Sequence, residues 1–337
     1  MTIDCLPLPE ILEARRRIAG LVERTPCGSS AHLSERAGVP VHLKMEHRQT
    51  TGSFKLRGAS NAIVCLSPEK RANGVVTAST GNHDRVVAYA AAREGIPATV
   101  CMSDLVPQNK VDEIRRLGAE IRIVGKSQDD AQEEVDRLVA EKGMAMVSPF
   151  DAREVIAGQG TLGFEIMEDV PEAACVVVPL SGGGLIAGVA SAVKVVNPKA
   201  RIVGISMERG PAMKASLDAG HPVQVEEEPS LADSLGGGIG LDNRFTFSIC
   251  RALVDEVILL TEEEIASGIR HAYASEREVL EGAGAVGIAA FLSGKLTLSS
   301  PGVLVLSGRN IDMDAHREIV CAEPRQFRDQ DQSRLLR

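Results

Sequence analysis

Short runs of apolar residues alternate with longer amphipathic segments through most of the chain. The runs are continuously apolar, a pattern that predicts strands covered on both faces, as in parallel sheets. We predict strands over Val41–Met45, Gly74–Ala78, Ala98–Met102, Glu120–Val124, Cys175–Pro179, Arg201–Ile205, Glu256–Leu260 and Gly302–Leu306. The segments between them have helical spacing, as in Gln108–Leu117 and Ser127–Lys142, each followed by a glycine. This alternation predicts an α/β fold of mostly parallel sheets flanked by helices.

Composition narrows the class of protein. The 337 residues suffice for one large or two modest domains. With 37 basic and 46 acidic side chains, the formal charge is -9, which argues against nucleic acid or an anionic membrane as partner. Seven scattered cysteines without a Cys-x-x-Cys pair predict neither disulfides nor a zinc site, and they favour a reducing cytoplasm. We expect no signal peptide and no membrane span, because no suitable apolar run occurs.

The first candidate site is the segment Thr51-Gly52-Ser53-Phe54-Lys55-Leu56-Arg57-Gly58-Ala59. We predict that Gly52 and Ser53 form a turn and a helix N-cap, with the helix running to Cys65. Lys55 would then lie in the first turn, where the helix dipole disfavours a cation and lowers the lysine pKa. An amine that loses its proton easily can form a Schiff base. The alternative is a solvated surface lysine.

Three further predicted strands end in small polar residues at the start of a helix. The turn after Ala78, with Ser79-Thr80-Gly81-Asn82-His83, could bind a carboxylate through backbone N–H groups or could be an ordinary capped turn. The turn Ser181-Gly182-Gly183-Gly184-Leu185 lets the backbone approach a phosphate, although a triple glycine alone is a weak signal. Ser307 follows the last strand, where open α/β sheets bind ligands, or where a plain turn would also fit.

In order and spacing, these elements resemble the fold type II pyridoxal-phosphate (PLP) enzymes, and within them the threonine and serine dehydratases. The most specific element is Ser53-Phe54-Lys55-x-Arg57-Gly58-Ala59, and supporting pieces are Leu43-Lys44, Ala232-Asp233 and Glu281 with Gly284-Ala285. The resemblance extends from about residue 8 to residue 321. It implies a fold like tryptophan synthase β, with a large PLP-binding domain (1–72 plus 152–337), a small mobile domain (73–151) and a homodimeric assembly.

The resemblance also implies a role for each candidate residue. Lys55 would hold the cofactor covalently and remove the α-proton of a β-hydroxy amino acid, and Thr80 stands where a second base could act on the opposite face. Phe54 would lie beside the cofactor, Asn82 would bind its 3'-oxygen and Ser307 its pyridine nitrogen. The phosphate would be bound by Ser181, Gly182, Gly183, Gly184 and Leu185. The substrate carboxylate would be bound by Ser79, Thr80, Gly81 and His83. The implied reaction is α,β-elimination to a 2-keto acid and ammonia.

Departures from the family pattern concern specificity and metal binding. Arg85 and Arg309 are added cations that could recognise a further anionic or acyl group of the substrate, or could simply face solvent. Ser206 and Ala212 stand where metal-using members carry carboxylates, so we expect no metal site. Gly-Asn-His-x-Arg, Ser-Met-Glu-Arg-Gly and Leu-Glu-Gly-x-Gly-Ala-Val-Gly-Ile-Ala-Ala resemble the hydroxyectoine-utilisation dehydratases. That resemblance implies a hydroxylated diaminobutyrate-type substrate.

Two other functions remain open from the sequence. Within PLP chemistry, the alternative is a serine/threonine racemase or a β-replacement enzyme that uses a sulfur nucleophile. In another class, the alternative is a non-catalytic protein that binds PLP, or a nucleotide at the turn Ser181–Gly184.

Overall fold

The computed structural model describes residues 4–78, 81–104, 106 and 108–322, and in this part of the chain the strands form two sheets. The strands are β1 (Cys27–Ser29), β2 (Val41–Lys44), β3 (Val75–Ala78), β4 (Ala98–Met102), β5 (Glu120–Ile123), β6 (Ala145–Met146), β7 (Cys175–Pro179), β8 (Arg201–Met207), β9 (Glu256–Leu260) and β10 (Gly302–Val305). The large sheet has the order β1-β2-β10-β7-β8-β9 and the small sheet the order β5-β4-β3-β6. Apart from the antiparallel pair β1–β2, the neighbouring strands are parallel, so the predicted sheet type is confirmed.

Helices cover both sheets, as the long crossovers between parallel strands require. They are α1 (Leu8–Arg17), α2 (Ala31–Ala37), α3 (Lys55–Val64), α4 (Pro68–Asn73), α5 (Asn82–Arg93), α6 (Gln108–Arg116), α7 (Gln128–Lys142), α8 (Arg153–Asp169), α9 (Gly184–Val196), α10 (Ala212–Ala219), α11 (Thr246–Leu253), α12 (Glu262–His271), α13 (Gly282–Leu292) and α14 (Met313–Cys321). Ser127 caps α7 in a capping box and Gly143 ends that helix in the left-handed conformation, which accounts for its predicted bounds. None of the helices in the described ranges is long and apolar enough to cross a membrane.

Burial follows the position of each strand in its sheet. β7 and β10 lie inside the large sheet and are buried along their whole length, with apolar clusters on both faces. The expectation of two covered faces is wrong for β5, an edge strand on which Glu120 and Ile123 are exposed. An apolar run therefore predicted the strand correctly but not its place in the sheet.

The small sheet is formed by the continuous segment 75–146, which lies within the predicted small domain 73–151. After β6 the chain returns to the large sheet through residues 147–151, and Asp151 anchors this return. Its Oδ1 accepts hydrogen bonds from the backbone N–H groups of Phe245 and Thr246, at 2.9 Å each, at the start of α11. The division into a large and a small mobile domain remains a prediction.

Charged side chains are buried below the start of α3. Arg57 donates from Nε to Glu46 Oε2 at 2.8 Å and from Nη1 to Glu165 Oε1 at 2.7 Å. Lys44 Nζ donates to the other oxygen of Glu165 at 2.7 Å and to the Thr25 carbonyl at 2.6 Å. Burial acts to raise the pKa of Glu46, but the Arg57 guanidinium outweighs it and holds that pKa below its ordinary value. The opposite charges thus compensate one another in a region with little access to water.

Candidate active site

The start of α3, the ends of β7 and β10 and the loop after β6 meet around one cavity, with about 530 Å³ of empty space that is partly open to solvent. All nine residues for which the sequence predicted cofactor contacts line it: Phe54, Lys55, Asn82, Ser181, Gly182, Gly183, Gly184, Leu185 and Ser307. We call this space the Lys55 chamber.

Lys55 is the first residue of α3, and its amine faces the chamber. Nζ donates to the Pro149 carbonyl at 3.1 Å and lies 5.5 Å from the centre of the Phe54 ring. Burial lowers the pKa of Lys55 to about 8, although the carboxylates of Glu281 and Asp84 oppose this shift. A lysine with this pKa has a much larger neutral, nucleophilic fraction near pH 7 than an exposed lysine has.

The predicted N-cap of this helix is wrong in detail. Phe54 occupies the N-cap position, and no side chain caps the helix. Ser53 Oγ is buried and has no hydrogen-bond partner among the described residues. Ser53 instead pairs through its backbone with Gly308, and the Phe54 N–H donates to the Ser307 carbonyl at 3.0 Å. These main-chain contacts join the lysine segment to the end of β10 and place Ser307 beside Lys55.

The glycine turn before α9 forms the opposite wall. Gly183 has φ +89°, a left-handed conformation that favours glycine. A Cβ on Gly182 would lie 2.4 Å from the Phe150 ring, so this position has no room for a side chain. The first N–H groups of the 13-residue helix α9 have no intrahelical acceptor. A backbone turn of this kind at a helix N-terminus is suited to bind a phosphate.

A second cavity of about 410 Å³ shares Asn82 and Ser234 with the Lys55 chamber. Its other lining residues are Gly81, Arg85, Glu113, Ile114, Asp233 and Asn310. Arg85 is paired with Glu113, and it donates to Asn310 Oδ1 at 2.9 Å. Arg309 is exposed, and its backbone N–H donates to the Gly52 carbonyl. Of the two added arginines, Arg85 therefore lines the second cavity, whereas Arg309 lines neither of these two cavities.

The four residues predicted to bind the substrate carboxylate differ in what the structure shows of them. Ser79 and Thr80 lie outside the described residues. Gly81 is the N-cap of α5 and lines the second cavity. The His83 side chain is buried and donates from Nε2 to the Val147 carbonyl at 2.8 Å. Burial, with a further effect of the Lys55 charge, lowers the pKa of His83 to about 3, so this imidazole is neutral.

Three residues of the site had no role assigned from the sequence. Glu281 is buried in the chamber, where its Oε1 accepts from Asn82 Nδ2 at 2.8 Å. Burial, and after it the charge of the Asp233 carboxylate, raise the pKa of Glu281 to about 7. Glu281 belongs to a segment that carried the family resemblance, and Asn310 comes directly after Arg309, in the segment that begins with Ser307. Their positions near the site could therefore have been found from the sequence. Phe150 lies in an irregular loop and carries no such signal.

Comparisons with known proteins agree with this geometry. The family model described as pyridoxal-phosphate dependent enzyme matches residues 18–308. A Sinorhizobium fredii protein named provisionally as a threonine dehydratase is 63% identical over 94% of this chain and 95% of its own. L-threonine ammonia-lyase of Thermotoga maritima is 44% identical over 94% of this chain and 78% of its own. Maize serine racemase superposes with a TM-score of 0.88 at 34% identity, covering 94% of this chain and 97% of its own.

The chain therefore belongs to the pyridoxal-phosphate-dependent enzymes of fold type II. Within this family it is a PLP-dependent lyase related to threonine dehydratases and ammonia-lyases, as the sequence predicted. The residues present fit the cofactor: the chamber combines an amine of lowered pKa with a glycine turn that has no room for side chains.

Proposed function

We propose that the Lys55 chamber catalyses α,β-elimination from a β-hydroxy amino acid, with release of a 2-keto acid and ammonia. The observation that carries this proposal is the position of Lys55, whose amine of lowered pKa shares one cavity with the glycine turn, Asn82 and Ser307. Relatives named for threonine dehydratase and ammonia-lyase activity support it.

In this proposal each wall of the chamber holds one part of the cofactor. The turn from Ser181 to Leu185 binds the phosphate through backbone N–H groups at the start of α9. Asn82 would donate to the 3'-oxygen, the hydroxyl of Ser307 would bond the ring nitrogen, and Phe54 would lie beside the ring. A neutral hydroxyl cannot supply the proton that a carboxylic acid would, so Ser307 would leave the ring nitrogen largely unprotonated.

Lys55 has two functions in the proposal, as covalent anchor and as base. When bound, PLP supplies an electron-accepting ring that stabilises negative charge at the α-carbon of the substrate. The Lys55 amine takes the α-proton, for which its pKa near 8 is suitable. The β-hydroxyl leaves with a proton as water, and hydrolysis of the resulting enamine yields the keto acid and ammonia.

The substrate carboxylate would lie at the start of α5. The first N–H groups of this 12-residue helix have no intrahelical acceptor, and its N-cap Gly81 borders the second cavity. His83 would contribute its backbone N–H, because its imidazole is bonded to Val147. From the sequence alone, Ser79 and Thr80 remain candidates for binding the same carboxylate. Because α5 packs on the small sheet, we propose that residues 73–151 move toward the large sheet when the substrate binds.

The second cavity supports the finer proposal of a hydroxylated diaminobutyrate-type substrate, as in hydroxyectoine utilisation. Two carboxylates, Glu113 and Asp233, line it with one guanidinium, and that guanidinium, of Arg85, is paired with Glu113. Asp233 forms no ion pair with any described residue. Its carboxylate can therefore bind an ammonium group at the far end of the substrate.

An Asp233→Asn variant tests this substrate. We expect KM for a β-hydroxy-α,γ-diamino acid to rise about tenfold, the usual effect of losing a hydrogen bond to a charged group. The rate with L-threonine, which has no γ-amino group, should change by less than about threefold. Asp242→Asn serves as the matched control, because Asp242 is exposed and lines neither cavity. Equal effects on both substrates would contradict the proposed contact.

The proposed function itself is tested on the unmodified protein reconstituted with PLP. Borohydride should bleach its visible absorbance, and peptide mass analysis should locate the pyridoxyl group on Lys55. Hydroxy amino acids should then yield equimolar 2-keto acid and ammonia. A label on another residue, or a colourless protein with affinity for nucleotides, would overturn the proposal in favour of a non-catalytic binding protein.

Serine/threonine racemase is the second candidate function, favoured by the similarity to maize serine racemase. It requires a second base on the face opposite Lys55, and Thr80 is the sequence candidate. Chiral analysis of unreacted substrate separates the two functions, and added thiols reveal β-replacement. We also propose a cytoplasmic location, supported by the free thiols of all seven cysteines, and a homodimeric assembly, as the family resemblance implies. Light scattering measures this assembly.

A further inference from the structure

A series of side-chain hydrogen bonds leads from the second cavity to the wall of the Lys55 chamber. Glu113 on α6 pairs with Nη2 of Arg85, and Nη1 of Arg85 donates to Asn310 Oδ1 at 2.9 Å. Asn310 Nδ2 in turn donates to Asn82 Oδ1. Arg85 and Asn82 are three residues apart on α5 and share one face of that helix, with the Asn310 side chain bonded to both.

The chemistry of the outer partners determines which way each amide points. A guanidinium can only donate, so the atom of Asn310 that faces Arg85 must be its oxygen. The Thr51 carbonyl can only accept, so the atom facing it, at 3.0 Å, must be the nitrogen of Asn310. This nitrogen also reaches Asn82, which must therefore present its oxygen to Asn310 and its nitrogen to Glu281.

Glu281 cannot impose this orientation alone. Burial, followed by the Asp233 carboxylate, raises the pKa of Glu281 to about 7, while its bonds to Asn82 and the Asn310 N–H and the charge of Lys55 act to lower it. Near neutral pH the Glu281 carboxyl is thus present in both forms, and it can accept or donate. Arg85 stays charged throughout this range, so its preference for an acceptor does not change with pH.

The backbone around Asn310 is shaped to admit this contact. Gly52 has φ +80°, and a Cβ on it would lie 2.3 Å from Asn310 Oδ1. The close approach of Asn310 to the lysine segment therefore depends on a glycine next to the Ser53–Gly308 pairing.

We propose that Arg85, acting through Asn310, is a positioning residue that holds the Asn82 carboxamide with its N–H donors toward the Lys55 chamber. One N–H of Asn82 is bonded to Glu281, and the second is available to a ligand oxygen. This inference rests on the proposed function, in which Asn82 donates to the cofactor. It assigns Arg85 a role in cofactor binding, in place of the recognition of an anionic substrate group.

An Arg85→Met variant removes the donors but keeps most of the side-chain length. We expect the PLP dissociation constant, measured by titrating the apo-protein, to rise about tenfold. The pH at which the absorbance bands of bound PLP interconvert should also shift, because Asn82 can then turn its oxygen toward the cofactor. Asn310→Asp should produce both changes with Arg85 intact, since it keeps the acceptor for Arg85 but loses the donor to Asn82. Arg85→Gln, which retains an amide donor, should recover much of the affinity.

Arg115→Met is the matched control, because Arg115 on α6 also pairs with a carboxylate, Asp112, but at the exposed surface. Arg115→Met should change neither the PLP dissociation constant nor the pH at which the absorbance bands of bound PLP interconvert. The double variant Arg85→Met/Asn310→Asp should be no weaker than the single variants, since both break the same series. The inference would be overturned if the losses of PLP affinity in the two single variants added up in the double variant. It would also be overturned if Arg85→Met left the PLP affinity and the spectrum unchanged. If Arg85→Met does not fold, Asn310→Asp decides in the same way, because unchanged PLP affinity and spectrum in that variant would also overturn the inference.

Asn82→Ala separates this inference from the proposed function. If Asn82→Ala leaves PLP affinity and spectrum unchanged, the proposed role of Asn82 is wrong and the positioning role fails with it. If Asn82→Ala alters both readouts while Arg85→Met alters neither, the role of Asn82 stands and only the inference about Arg85 is refuted.

Discussion

Lys55→Ala should reduce the rate of keto-acid formation from hydroxy amino acids by a factor of about 10³ or more, because it removes both the covalent anchor and the base. The loss should appear in kcat, since the glycine turn and Asn82 remain to bind the cofactor. Initial rates of keto-acid and ammonia release, measured at saturating PLP, provide the test. Borohydride should no longer attach the pyridoxyl group to the protein.

The stability of this variant distinguishes catalysis from folding. Burial lowers the pKa of Lys55, which means that its charged form is disfavoured in the folded protein, so we expect no fall in the melting temperature of the apo-protein. Lys70→Ala, an exposed lysine on α4, should keep the normal rate. A Lys55→Ala protein with near-normal ammonia production would refute the proposed mechanism.

Arg57→Met should lower the free energy of unfolding by about 3–5 kcal/mol, the usual cost of removing one partner from a buried ion pair. Arg57 is fully buried and is bonded to Glu46 and Glu165. Its loss leaves the Glu46 carboxylate buried with only the weaker contacts to Thr25 and Gln49. Urea denaturation of the apo-protein measures the change. Arg137→Met, which breaks two surface ion pairs on α7, with Glu134 and Glu141, should cost less than about 1 kcal/mol.

The pH dependence of this loss has a definite sign. In the unmodified protein the Glu46 pKa lies below its unfolded value, so the stabilisation is present at neutral pH and is lost as pH falls through the lowered pKa. Without Arg57, burial should raise that pKa above its unfolded value. The difference in stability between the variant and the unmodified protein should therefore shrink on acidification. A difference that is constant from pH 7 to pH 4 would contradict this account.

The predicted cofactor-binding residues line one cavity because three of their segments follow strands of parallel sheets. The carboxyl ends of such strands meet at one edge, so the glycine turn and Ser307 could be expected near each other from the sequence alone. Lys55 could be predicted to lie at the same site because its segment resembles one that is specific to a single family of enzymes. The position of Asn82 follows from the same rule, applied to the small sheet.

Other parts of the site depend on tertiary contacts that no local pattern records. The Arg85 guanidinium lies between residues 28 and 225 positions away in sequence, so its neutralisation by Glu113 could not be predicted. His83 turns its imidazole toward β6 although its segment resembles a ligand-binding turn. Ser53, expected to cap α3, is used through its backbone, because pairing with Gly308 replaces capping at that point.

The return segment 147–151 has a consequence for cofactor retention. It connects the small sheet to the large one, yet Pro149 and Phe150 within it form a wall of the Lys55 chamber, and Asp151 holds its far end at α11. A rotation of residues 73–151 toward the large sheet would therefore repack the wall against the glycine turn. By thermodynamic linkage, a substrate and a cofactor that both bind the closed form more tightly than the open form must each raise the affinity of the protein for the other. The affinity of this protein for PLP would then depend on whether a substrate is present.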